Sequence, residues 1–169
     1  MSFTPELFYD SLAYHLGVPN YYVIKHKICE IPYNVASYYP FNMEMVYTLA
    51  LLLKEEGLPK LLHFSSGILC LGAIFSFCKR YFGHLVGIIA CAIFYSIPIV
   101  AMNSWVTGND VALSYFFILS IYALVNYFGF ESSSGSNPDG TKNNKWFIVS
   151  AIFSGIAMGS KYTGVFTLF

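Results

Sequence analysis

Three charged residues, far apart in the sequence, have the chemical types that an enzyme site uses. Lys161 lies in the apolar run GIAMGSKYTG, Asp10 lies in YDSLAYH, and Asp110 opens the apolar run NDVALSYF. A carboxylate can accept a proton as a general base, and an ammonium group can offset negative charge on a leaving group. The chain can combine these two abilities only if its fold brings the three side chains together.

The composition is that of a membrane protein. Of the 169 residues, 56% are hydrophobic and 11% are charged, and the mean hydropathy is +0.57, whereas a soluble domain is about 25% charged. The formal net charge is zero, so the chain has no basic excess of the kind that nucleic-acid-binding proteins carry. The cysteines form no CxxC pair and no zinc-type cluster, and they are interpreted as packing residues: Cys29, Cys70, Cys78 and Cys91.

Four apolar stretches are long enough to cross the hydrocarbon core of a membrane, which is roughly 30 Å thick and takes about 20 residues of helix. The glycines and prolines inside these stretches are ordinary in membrane helices. The sequence therefore predicts an all-α, polytopic membrane protein. Its transmembrane spans are expected near residues 61–77, 84–102, 111–130 and 146–169.

Basic residues in the short loops set the expected orientation, because cytoplasmic loops are enriched in Lys and Arg. Lys79 and Arg80 follow the first span, and two lysines lie in the polar linker 131–145. The loop NSWVTGND between the second and third spans carries no basic residue. We therefore expect the linker to be cytoplasmic and NSWVTGND to be external.

The N-terminal third of the chain differs from the rest. Residues 1–57 have mixed polarity and contain prolines at intervals that forbid one long helix. This pattern predicts an external segment with two short interfacial helices, Glu6–Leu16 and Asn42–Lys54. The segment would lie beside a transmembrane bundle formed by residues 58–169.

The predicted topology brings the isolated charged groups to one side of the membrane. A helix rises about 1.5 Å per residue, so Lys161 would lie about 22 Å above the cytoplasmic start of the fourth span. Asp110 opens the third span at the external end, and Asp10, His15 and Glu44 belong to the external segment. Their joint placement predicts one polar site at the external face.

Each of these residues also has a simpler interpretation. Lys161 would cost about 2.5–3.5 kcal/mol at the bilayer centre, and it can either extend to the headgroups or face a polar cavity where an anion or carboxylate compensates it. Asp110 and Glu44 suit the first turn of a helix whatever their function. His15 can be a packing residue, and Asp10 can be a solvated surface acid.

Several segments, in order, resemble the N-terminal half of a GT-C glycosyltransferase, most closely the branch related to protein O-mannosyltransferases and aminoarabinose transferases. They include DSLAYHLGVP, PFNMEMVYTLALLLKEEG, NDVALSYFFILSIYAL and WFIVSAIFSGIAMGSKYTG. The resemblance extends over nearly the whole chain. It implies inverting transfer of a sugar from a polyprenyl-phosphate carrier to a lipid, glycan or protein acceptor, at the external face of a prokaryotic plasma membrane.

The resemblance also implies roles for individual residues. The catalytic acid of the family's first external loop is matched by Asp10, a second acid by Asp110, and the basic residue of a TKGP-like segment by Lys161, which would meet the carrier phosphate. A divalent cation, used by some relatives, would have Asp10 and Asp110 as its possible ligands. The other residues expected to bind substrate or carrier phosphate are Tyr14, His15 and Glu44.

Two departures from the family pattern bear on this interpretation. Many relatives carry a second acid directly after the catalytic one, where this chain has Ser11, so Glu6 or another residue would substitute for it, or none would. Relatives also have a membrane helix before this loop and several spans after the fourth, so we expect the chain to be a fragment of a longer protein.

Two non-catalytic interpretations stay open. The chain could be a multipass subunit or transporter fragment in which Lys161 and Asp110 form a structural ion pair. It could also be a protein that binds a lipid without turning it over.

Overall fold

The computed structural model describes residues 5–53, 57–129 and 144–168, and every regular element within those ranges is a helix. The all-α class is therefore confirmed. The α-helices, numbered in chain order, are α1 (Gly17–Lys25), α2 (Asn42–Leu52), α3 (Leu58–Phe82), α4 (His84–Ser96), α5 (Pro98–Asn103), α6 (Asp110–Phe128) and α7 (Asn144–Ser160). A π-helix (Ser11–His15) and two 3₁₀ helices (Val35–Tyr38 and Tyr162–Leu168) complete the set.

Two of these helices, α3 and α6, are long and apolar enough to cross a membrane. Helix α3 has a proline in its first turn, where a missing N–H costs nothing. It ends at Gly83, whose φ of 97° lets the chain reverse directly into α4. Many of the large apolar side chains on these helices are exposed, as lipid-facing side chains are. Their length, composition and exposed apolar side chains are those of membrane-spanning helices.

The second predicted span is divided in the structure. Helix α4 ends at Ser96, Ile97 is extended with ψ of 116°, and α5 begins at Pro98. The cause is local, because a proline ring pushes the preceding residue out of the helical region while itself suiting a first helical position. The stretch 84–102, predicted as one span, is therefore not one continuous helix.

The fourth predicted span also ends early. Helix α7 stops at Ser160, Lys161 has no helical assignment, and a 3₁₀ helix covers Tyr162–Leu168. Lys161 consequently lies at a break between two helices, whereas one continuous helix over 146–169 would have contained it. Most of the predicted linker 131–145 lies outside the described residues.

Helices α6 and α7 pack against each other through small polar residues. The hydroxyl oxygen of Ser120 lies 3.1 Å from that of Ser150 and 2.7 Å from that of Ser154, and all three side chains are buried. Small residues of this kind let membrane helices approach closely, and their hydroxyl groups bond across the interface. This contact holds the start of α6 near the end of α7.

The N-terminal segment packs on this bundle. Helix α2 contacts α3 and α7, and Tyr47 is completely buried beside Met43 and Ala112. The predicted interfacial helices differ in detail, because the first becomes the π-helix followed by α1, and α2 ends at Leu52. Helix α1 was not predicted, and its Pro19 lies in the first turn, where proline is tolerated.

Candidate functional site

The loop between α5 and α6, residues 104–109, is where the N-terminal segment meets the bundle. The backbone N–H of Thr107 donates to Glu6 Oε2 over 2.9 Å, and its carbonyl oxygen accepts from the Ser11 hydroxyl. His63 Nδ1, on α3, donates to the Val106 carbonyl oxygen over 2.7 Å. These bonds fix the loop, and with it Asp110, which begins the next helix.

A buried chain of three polar side chains joins three elements at this loop. His15 Nδ1 lies 2.6 Å from Glu44 Oε1, and Asn109 Nδ2 donates to the same oxygen over 3.3 Å. Asn109 Nδ2 also donates to the Ser160 carbonyl oxygen over 3.0 Å, at the end of α7. His15 is 4% exposed and Glu44 is 1% exposed. We call these residues the His15–Glu44–Asn109 chain.

Lys161 and Asp110 form an ion pair next to that chain. The ammonium group of Lys161 contacts Asp110 Oδ1, and the two side chains are 36% and 52% exposed. Asp110 is the first residue of α6, and Lys161 directly follows α7, so the pair closes the ends of two packed helices. The carboxylate provides the compensation that a lysine in an apolar run requires.

Tyr14 connects Asp10 with this ion pair. Burial raises the pKa of Tyr14 to about 12, and the negative charges of Asp10, Glu44 and Asp110 add to that rise. The phenol is therefore neutral at physiological pH and can donate a hydrogen bond to an anion or a sugar hydroxyl. Asp10 itself is half-buried and immediately precedes the π-helix.

Aromatic rings extend this connection to Lys161. The Tyr14 ring lies 4.0 Å from the His15 ring and 6.4 Å from that of Tyr39, and the Tyr39 ring lies 5.4 Å from that of Tyr162, the residue after Lys161. The last two contacts are edge-on, a favourable geometry for aromatic pairs. Contacts therefore link five of the residues predicted for the site, Tyr14, His15, Glu44, Asp110 and Lys161, whereas Asp10 adjoins them along the chain, directly before the π-helix.

Glu6, the candidate substitute for the missing second acid, lies in a different environment. Burial raises the pKa of Glu6, but backbone N–H groups of Thr107 and Phe8 and the charge of Lys60 hold it, on balance, below its ordinary value. Lys60 Nζ lies 3.7 Å from Glu6 Oε2. Glu6 is thus an ionised anchor for the α5–α6 loop.

An open groove with a volume of about 430 Å³ starts near the ion pair. Ser114, on its wall, donates its hydroxyl to the Asp110 carbonyl oxygen over 2.9 Å, and Thr163 lies two residues after Lys161. The remaining lining residues are Phe94, Leu113, Phe117, Ile118 and Phe166. The groove therefore offers an apolar channel between α4, α6 and the last 3₁₀ helix.

The residues expected to ligate a possible divalent cation are Asp10 and Asp110. Among the described residues there is no group of three or more His, Cys, Asp and Glu side chains placed to share a metal ion. The carboxylate of Asp110 already contacts the Lys161 ammonium group, which would repel a cation at the same oxygen. The site's own fixed positive charge is therefore that of Lys161.

Several polar residues of the site were not predicted. His63, Thr107 and Asn109 each have a buried side-chain atom without a hydrogen-bond partner among the described residues, as does Glu44. Asn109 could have been interpreted as the N-cap of α6, but its side chain makes no capping bond and contacts Glu44 and Ser160 instead. Only the fold reveals that contact, because these residues are far apart in sequence.

The turn that carries Lys161 depends on Gly164. A Cβ atom at this position would lie 2.3 Å from the Ala157 carbonyl oxygen and 2.5 Å from the Met158 nitrogen, and both are backbone atoms. We expect Gly164→Ala to destabilise the protein by about 1–3 kcal/mol, as other overpacking changes do. The measurement is thermal unfolding in detergent. In the control Gly155→Ala, no atom lies within 4 Å of the new Cβ, so equal losses would contradict this expectation.

Comparison with known proteins gives one family. The model of the dolichyl-phosphate-mannose-protein mannosyltransferase family matches residues 49–169, which include Asp110 and Lys161. No curated protein and no solved structure matches the chain. The match covers more than half of the sequence, and it agrees with the apolar helices. The chain belongs to the dolichyl-phosphate-mannose-protein mannosyltransferase family, a family of GT-C membrane glycosyltransferases.

Proposed function

We propose that the chain forms the catalytic part of a multipass glycosyltransferase that moves a sugar from a polyprenyl-phosphate carrier to an acceptor hydroxyl. The acceptor would be a lipid, glycan or protein at the external face of a prokaryotic plasma membrane. The observation that carries this proposal is the position of Lys161, a partly exposed ammonium group near the end of an apolar groove. A lipid-linked phosphate has this same combination of an anion and an apolar chain.

The proposed reaction is a single displacement at the anomeric carbon. The acceptor oxygen forms a bond to that carbon while the bond from the carbon to the phosphate oxygen breaks, which inverts the configuration. Asp10 takes the acceptor proton, and Lys161 balances the charge that grows on the departing phosphate. Tyr14, neutral at this pH, donates a hydrogen bond to the phosphate or to the sugar.

The ion pair supports this assignment because both members stay reachable. Asp110 holds the Lys161 side chain in place, and with about a third or more of each side chain exposed, an incoming phosphate can contact the ammonium group without a large rearrangement. Pre-positioned charge of this kind needs no reorganisation when the leaving group departs. The proposed reaction is written with the chain's own residues alone.

A transfer assay with dolichyl phosphate mannose labelled in the sugar tests the proposal. The full-length protein that contains this chain, purified into lipid vesicles, should convert the label to a mannosylated acceptor, with peptides, glycans and lipids offered in turn. A protein that only binds the carrier would retain the label without consuming it. A structural subunit would do neither, and either of these two results would contradict the proposal.

A further inference from the structure

We infer that Asn109 is a positioning residue, which sets the Lys161–Asp110 pair through the His15–Glu44–Asn109 chain. This inference rests on the proposed function of that pair. A single nitrogen, Asn109 Nδ2, donates to both Glu44 Oε1 and the Ser160 carbonyl oxygen. It therefore joins α2, which contains Glu44, to the end of α7, which is Ser160, although the two helices are far apart in sequence.

The bond between Asn109 and Ser160 matters because of the residue that follows each of them in the sequence. Asn109 directly precedes Asp110, and Ser160 directly precedes Lys161. The bond thus holds the side chain of the residue before Asp110 against the backbone carbonyl of the residue before Lys161. Because Asn109 is 6% exposed and Ser160 is completely buried, water does not readily replace the bond if it is lost.

Glu44 extends the connection to the N-terminal segment. Its Oε1 accepts from His15 Nδ1 as well as from Asn109 Nδ2. His15 ends the π-helix that begins directly after Asp10 and contains Tyr14. One buried carboxylate oxygen consequently ties the start of α6 to the segment that carries the proposed general base.

The burial of this chain separates it from the substrate-contacting groups. His15 and Glu44 are almost inaccessible and bonded to each other, so neither is free to bind a carrier phosphate in this structure. The ion pair and Tyr14 remain partly exposed. We therefore assign contact with substrate to Lys161, Asp110, Asp10 and Tyr14, and alignment to the buried chain.

The substitution Asn109→Asp distinguishes alignment from packing. Aspartate has almost the same size as asparagine, but it cannot donate and it places a second carboxylate against Glu44 Oε1. If Asn109 only fills space, the repulsion should lower stability, but the folded fraction of Asn109→Asp should keep the Asp110–Lys161 contact, and Asn109→Ala should disturb that contact more. If its two donated bonds set the ion pair, Asn109→Asp should be at least as harmful as Asn109→Ala.

A zero-length carbodiimide cross-link reports the ion pair without requiring turnover. The reagent joins a carboxylate to an amine in direct contact, and mass spectrometry of peptide fragments identifies the Asp110–Lys161 isopeptide. We expect wild type to give this product and Asn109→Asp to reduce its yield at least threefold. The matched control is Asn126→Asp near the other end of α6, where the amide bonds within its helix and to Tyr81. That control should keep the wild-type yield.

Kinetics with dolichyl phosphate mannose supply the second measurement. Asn109→Asp should lower kcat at least tenfold while KM changes less than threefold, because the groove that receives the lipid is unchanged.

The inference is overturned if the cross-link yield of Asn109→Asp stays within 1.5-fold of wild type, or if Asn109→Ala is the more harmful change. Should Asn109→Asp not fold, a full wild-type cross-link yield in Asn109→Ala overturns it equally. A wild-type protein without transfer would contradict the proposed function, whereas the cross-link would still decide the role of Asn109.

Discussion

Asp10→Asn is expected to lower kcat for mannosyl transfer by about 10²–10⁴, the range by which a positioned general base accelerates a reaction. The amide keeps the size and most of the contacts of the carboxylate but cannot take a proton from the acceptor hydroxyl. KM for the lipid carrier should change little, because Lys161 and the apolar groove are intact. The measurement is initial-rate transfer from dolichyl phosphate mannose in vesicles.

The matched control for Asp10→Asn is Glu30→Gln. Glu30 is an exposed acid in the same N-terminal segment, so the control removes one negative charge without touching the site. It should retain transfer within about twofold. Equal activity of Asp10→Asn and wild type would show that the general base is another residue, and would remove the main reason for assigning catalysis to the π-helix.

The parts of the fold that could be predicted are those that depend on apolar length. Helices α3 and α6 are long and hydrophobic, and the sequence located both. The breaks after Ser96 and Ser160 could not be located by hydropathy, because they depend on backbone geometry at Pro98 and on the tight packing of Gly164 against α7. A moving average of hydrophobicity does not detect either cause.

The parts of the site that could be predicted are the charges for which an apolar environment provides no ordinary explanation. Lys161 required a compensating anion, and Asp110 provides it. The bond between His15 and Glu44 could not be predicted, since each residue has an adequate local interpretation and the bond joins positions 29 residues apart. Asn109 was missed for the same reason, because its sequence position suggests a helix cap.

The joint substitution Lys161→Met with Asp110→Leu separates catalysis from structure, and it has the other large expected effect. An ion pair that is exposed to this degree contributes at most about 1 kcal/mol to folding. The double variant should therefore unfold within a few degrees of wild type in detergent. Removing fixed charge that stabilises a developing anion costs about 10²–10³ in rate, so transfer should fall by at least that factor.

The single variants Lys161→Met and Asp110→Leu give a second comparison between the structural and the catalytic role. If the pair is only structural, each single change leaves one unpaired charge and the double change restores the balance, so stability and any associated activity should recover in the double variant. If Lys161 meets the carrier phosphate, Lys161→Met alone should weaken both carrier binding and transfer, and adding Asp110→Leu should restore neither.

Lys25→Met with Glu30→Leu, which removes one charge of each sign from exposed positions, is the matched control and should keep transfer unchanged. Retained transfer in the Lys161 and Asp110 double variant would make the pair a structural contact between α6 and α7, and the proposed active site would have to lie elsewhere.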